Sequence, residues 1–165
     1  MRGRLKSESG ANAVEFALIL PILIVLIFGI FFGGLAYNRQ LALTQSAREG
    51  ARFAATLPLG GATAPNQDWF DDVVERIEES STGSLADGQP GRYICVRFVD
   101  DQGASVEEEV GDTSVSNCDV DSSAVTNRAR VEVVVARPAN LEFIFYNFPV
   151  TLRAQSIARY EGKIG

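Results

Sequence analysis

The chain has 165 residues, 46% of them hydrophobic, and a formal net charge of −6; that is enough for one modest domain plus an appendage. The acidity argues against a general nucleic-acid-binding surface. His is absent, which removes the commonest metal ligand and the commonest general base.

The first element is an apolar helix. Phe16–Asn38 contains no charged residue and spans about 34 Å as a helix, enough to cross a hydrocarbon core of about 30 Å. Pro21 lies inside it, which membrane helices tolerate. Gly29 and Gly33 have the small-residue spacing that lets two helices approach closely. Arg2, Arg4 and Lys6 precede the run, opposed only by Glu8, and the first charge beyond it is Arg39. The positive-inside rule then places the N-terminus in the cytoplasm and everything after Arg39 outside. A secretory signal peptide is the competing reading. The run is too long for one, however, and no A-x-A-like end precedes Tyr37. Glu15, on the threshold of the run, reads locally as the N3 partner in a capping box with Asn12 as N-cap, and a carboxylate there suits the helix dipole.

The helix is expected to continue through Arg39–Leu57. Leu41, Ala47, Ala51 and Ala54–Ala55 form its apolar stripe, and Gly50 alone weakens it. Small residues in the stripe suit close packing, either against the chain's own domain or against another subunit. Pro58–Gln67 reads as a loop. A short amphipathic helix follows, with Asp68 as N-cap, acids at Asp71 and Asp72, and a core stripe of Trp69, Phe70, Val73, Val74 and Ile77.

After a Gly-rich loop the chain reads as β structure. Arg92–Asp100 and Ala104–Val110 form a hairpin across Asp101–Gly103. A long polar excursion leads to Arg128–Pro138, with Val131, Val133 and Val135 on one face. Val150–Glu161 alternates, with Arg153, Gln155 and Arg159 on the wet side. The aromatic segment Asn140–Phe148 between them has two readings: a connection buried in the core, or a membrane-proximal patch at headgroup depth. The expected fold class is α+β: a long transmembrane helix running into a small domain with a short helix and about four antiparallel strands.

Cys95 and Cys118 form an even pair in an extracytoplasmic domain, where a disulfide is the natural reading. It ties the polar excursion to the first strand and contributes roughly 3 kcal/mol. Free thiols or a metal site are the alternatives, but the spacing matches no zinc pattern. The acids at Asp100, Asp101, Glu107–Glu109, Asp119 and Asp121 do not form a calcium loop. No catalytic motif, phosphate-binding loop or cofactor site stands out, and nothing favours an enzyme.

A short basic leader, then Gly10, then "ANAVEF" and a long apolar helix, is similar to a type IV prepilin N-terminus. The string "AVEFALILPILIVLIFGIFFGGLAYNRQLALTQSAREGARFAA" resembles the TadE-like family of pilus-assembly proteins, the pseudopilins of tight-adherence pili. The features concerned are the AVEFAL opening, the Pro within the helix, the FG pair and the "AREGAR" ending, over about residues 10 to 55. The resemblance implies a pilin-like fold with residues 1–10 as a cytoplasmic leader, 11–57 as transmembrane and stalk helix, and 58–165 as the extracytoplasmic domain. It also implies cleavage between Gly10 and Ala11 by a prepilin peptidase, with Glu15 and Phe16 serving assembly once the Ala11 amine is exposed. The partners it implies are other pilins or pseudopilins, the tight-adherence assembly platform and the membrane. The rival functions are an uncleaved single-pass anchored binding domain or adhesin, and a secreted adhesin or hydrolase with an unusual export signal.

Overall fold

A computed structural model describes residues 8–60, 62–120, 128–143 and 146–162. The chain is built from two helices and four strands: α1 (Glu8–Thr56), α2 (Gln67–Ser80), β1 (Tyr93–Val99), β2 (Ser105–Gly111), β3 (Arg130–Phe143) and β4 (Tyr146–Arg159). The expected α+β class, with one long helix, one short helix and four antiparallel strands, is the observed one. The basic residues ahead of Glu8 lie outside the described residues.

α1 is a single helix of 49 residues that continues through Pro21, about 73 Å long. Because it starts at Glu8, Asn12 and Glu15 both lie inside it, and the capping box expected at Asn12 does not form. α2 likewise starts two residues earlier than expected. Asn66, not Asp68, is its N-cap: the Asn66 carboxamide oxygen accepts from the Trp69 backbone N–H at 3.1 Å. Asp68 falls in the first turn, near the positive end of the helix dipole.

The sheet order is β2-β1-β3-β4, all antiparallel. The register pairs Ile94 with Val135, Val96 with Val133 and Phe98 with Val131. These side chains share the inner face, and α1 and α2 cover them. Leu43, Ala47, Ala51 and Ala54 supply the helical side of the core. Leu41, expected in the stripe, is 42% exposed, and Leu43 takes its place. α2 contributes Trp69, Phe70, Val73 and Ile77, with Val74 packed at the margin. Trp69, Phe98 and Tyr160 meet edge-on, at centroid distances of 6.3 and 5.3 Å, a favoured aromatic geometry.

The outer face has its own cover. Gly111 ends β2 at φ +100°, where an added Cβ would lie 2.1 Å from the Arg92 carbonyl oxygen. This turn sends the chain back across the sheet. Val115, Cys118 and Val120 lie over Tyr93, Cys95, Val134 and Ala136. Cys95 and Cys118 are joined by a disulfide with Cα atoms 5.6 Å apart, and Arg153 of β4 donates to the Asn117 and Asp119 carbonyls. The first part of the excursion is thereby fastened to two strands. Residues 121–127 lie outside the described residues.

Candidate membrane and assembly interface on α1

The two ends of α1 differ in what they touch. From Leu43 onward one face is buried, and that face is made of small residues: Ser46, Ala47, Gly50, Ala51, Ala54 and Ala55. The Ser46 hydroxyl satisfies itself within the helix by donating to the Leu43 carbonyl at 2.9 Å. Gly50, which lowers helix propensity, faces α2. A Cβ at this position would lie 2.2 Å from Cγ1 of Ile77 and 2.8 Å from its Cδ1. The glycine thus lets α2 approach, a role that propensity alone did not disclose. Its place three residues after Ala47, on the buried stripe, was the available signal.

The C-terminal segment closes the end of α1. Glu161 and Gly162 backbone N–H groups donate to the Ala55 carbonyl at 2.8 and 3.2 Å. The Leu57 carbonyl accepts from the Tyr160 hydroxyl at 2.9 Å and from the Trp69 indole N–H at 3.4 Å. These bonds satisfy carbonyls that a helix end leaves without intrahelical donors.

Before Leu43 the helix is mostly exposed, with Gly29, Phe32, Ala36, Gln40 and Ala42 half-buried. Val14, Phe16, Leu26, Ile30 and Tyr37 are each more than half exposed, and none of the most apolar stretch is buried by the described chain. The helix is long and apolar enough to cross a membrane. Gly29 and Gly33 have no atom within 4 Å of an added Cβ, so this small-residue face is open among the described residues. Phe28 and Phe32 stack beside it at 6.0 Å. Glu15 and Phe16 lie on the exposed N-terminal part, and Gly10 and Ala11 precede them inside the same helix. A single chain therefore brings Gly10, Ala11, Glu15 and Phe16 into one short helical segment but leaves Gly29 and Gly33 about four to five turns beyond Phe16.

The β3–β4 hairpin flanks the junction. Gln40 Nε2 donates to the Arg153 carbonyl at 2.7 Å, and Glu161 N–H meets the Ala55 carbonyl farther along. Between these ties the helix rises about 22 Å and β4 about 27 Å, so the two run side by side. Below Arg153, β4 continues back to Tyr146, about 23 Å more, pointing towards the apolar segment. The strands therefore extend well past the Arg128–Pro138 and Val150–Glu161 bounds expected from sequence, with Leu141 opposite Phe148 and Phe143 opposite Tyr146. Phe148 is 53% exposed, which corrects the reading of this aromatic as core. The rest of the aromatic tip, Ile144 and Phe145 together with the side chains of 141–146, lies outside the described residues.

Elsewhere the charged groups are largely structural. Glu132 is buried on the outer face and held by Arg130 at 2.7 Å and Arg97 at 3.5 Å; Arg97 also meets Glu107 at 2.6 Å. Burial works against the Arg97 charge, but Glu107, Glu132 and Asp119 together outweigh it and raise the guanidinium above its usual range. Burial, followed by the hydrogen bond to Glu109, pushes the Tyr93 phenol well above its ordinary value. Arg92 joins Glu78 of α2 to the Leu85 carbonyl and Asp87, which pins the loop whose Leu85 is fully buried. Cys95, Glu107 and Cys118 lie close enough together to suggest metal ligands, but the two sulfurs are bonded to each other and offer no thiolate pair.

Residues 10–52 match the family model described as TadE-like protein. The matched span is α1 from its first turn to Arg52, covering both the mostly exposed apolar part and the buried small-residue stripe. No curated protein and no solved structure matches the chain.

Proposed function

We propose that this chain, whose long helix carries the TadE-like signature, is a minor pilin or pseudopilin that takes part in the assembly or initiation of a tight-adherence pilus. The observation that carries the reading is the division of the matched helix. Its C-terminal part is locked onto the sheet, while its membrane-length N-terminal part is largely exposed among the described residues. Such a helix can exchange lipid contacts for contacts with neighbouring helices, with Gly29 and Gly33 admitting close approach.

In this reading a prepilin peptidase cuts between Gly10 and Ala11, and the basic leader stays in the cytoplasm. The chemistry belongs to the peptidase. The new Ala11 amine is cationic near neutral pH. Glu15 follows about 6 Å along the helix. An isolated carboxylate in lipid costs about 2.5–3.5 kcal/mol on insertion scales, and pairing with a neighbouring subunit's amine lowers that cost. Assembly is thereby favoured over the lone subunit. Other pilins and the assembly platform are the partners, and the domain from residue 58 onward stands outside the cytoplasmic membrane.

N-terminal sequencing of the protein from its native host tests the reading. A mature start at Ala11 is expected, whereas a start at Met1 would leave an uncleaved anchor, and a start near Tyr37 a secreted protein. Glu15→Gln keeps the shape and removes the charge. Cleavage should persist and pilus number should fall, so normal piliation in this variant would rule out the carboxylate pairing.

A further inference from the structure

A cleft of about 520 Å³ opens between α1 and the β3–β4 hairpin, within the size range of small-molecule sites. We propose that it binds the headgroup of an anionic phospholipid at the outer membrane boundary. The inference rests on the reading that α1 spans the membrane.

Three observations converge on this site. The first is position. Arg39 is the first charge after the uncharged run, and the cleft straddles that boundary, with Phe32, Leu35 and Ala36 on the membrane side and Arg39 at the rim. The hairpin brings Arg137 and Asn140 to the opposite wall, because β4 runs alongside α1 and continues past the Gln40–Arg153 tie.

The second is charge. The chain is net acidic, and Arg76, Arg92, Arg97 and Arg130 each hold a carboxylate. Among the described residues, neither Arg39 nor Arg137 has a carboxylate within ion-pair distance. Two guanidiniums facing one cleft without an acid between them suit a phosphodiester, which they can grip through paired N–H donors.

The third is the mixed lining. Apolar Phe32, Leu35 and Leu152 suit the first carbons of acyl chains, while Ser84 and Asn140 supply hydrogen-bonding groups for a polar headgroup. Free phosphate would use the arginines but leave the apolar wall unfilled. A phospholipid uses both, and its phosphate sits at the depth where Arg39 lies.

Native mass spectrometry of the full chain in non-ionic detergent tests the site, with phosphatidylglycerol and phosphatidylcholine of identical acyl chains as probes. Two cations at the strength of juxtamembrane basic residues give a preference for phosphatidylglycerol of roughly 10- to 30-fold. The Arg39→Gln/Arg137→Gln double variant should lose that preference while keeping the wild-type melting temperature. Equal retention of the two lipids, or a preference unchanged in the double variant, overturns the proposal. Displacement of phosphatidylglycerol by millimolar inorganic phosphate also overturns it, by reducing the site to a simple anion pocket. Flotation with neutral phosphatidylcholine vesicles separates the two levels of the argument. A chain that floats but shows no headgroup preference keeps its anchor and loses the cleft, whereas a chain that does not float loses the anchor itself.

Discussion

Gly50→Ala sets two effects of known sign against each other. On an exposed helix the change stabilises by about 1 kcal/mol, because Ala loses less backbone entropy than Gly. Here the new methyl meets Ile77, with Cγ1 at 2.2 Å and Cδ1 at 2.8 Å, where carbon atoms ordinarily rest about 3.5–4.0 Å apart. Ile77 is fully buried and, being β-branched in a helix, has almost no alternative rotamer. Relief must come from parting α1 and α2 by more than an ångström, at the upper end of the roughly 1–3 kcal/mol that overpacking costs. The net expectation is a loss of about 2 kcal/mol, or roughly 10 °C in Tm for a domain of this size. Thermal unfolding of the full chain in detergent, followed by circular dichroism, measures it. A double-mutant cycle with Ile77→Ala isolates the contact, because that change removes both clashing atoms. Ile77→Ala alone should cost about 2–5 kcal/mol. The pair together should be at least about 1 kcal/mol better than the sum of the singles. A Gly50→Ala variant that melts higher than wild type would refute the close approach of the two helices.

The disulfide is open to a direct check. The non-reduced chain should show no thiol to alkylation and the reduced chain two, and the Cys95→Ala/Cys118→Ala variant should lose about 3 kcal/mol; alkylation of two thiols without reductant would contradict the bond. Tyr160→Phe removes the hydroxyl donor to the Leu57 carbonyl and should cost about 0.5–1.5 kcal/mol, while an unchanged melting curve would mean the indole of Trp69 suffices. Tyr93 supplies a pH signature. Its folded pKa is raised above the usual 10.0, so its contribution to stability is whole below that pH and declines as pH rises above it. The Tyr93→Phe variant should show a shallower fall in Tm between pH 9 and 11, and parallel slopes for the two proteins would count against the buried phenol.

What the sequence determined by itself was local. An uncharged run of membrane length, an α2 stripe in which Trp69, Val73 and Ile77 recur every four residues, and the alternation of Val131, Val133 and Val135 each express one element's periodicity, and each survives in the fold. The even pair of cysteines, Cys95 and Cys118, in a segment read as extracytoplasmic likewise made their bond legible. The tertiary structure decided whatever depends on a neighbour distant in the chain. Gly50 reads as a weak point in a helix until Ile77 is set against it. Leu85 reads as loop until Arg92 and the core hold it inside. The capping residues misread by sequence, Asn12 for α1 and Asp68 for α2, show the same limit, since several polar residues near a helix start could each serve and only the observed start selects one. The hairpin extends beyond its apparent ends because β3 and β4 go on pairing with each other after alternation in either strand has ceased. That non-local ladder carries Arg137 alongside Arg39, two charges almost a hundred residues apart that nothing in the linear order brings together.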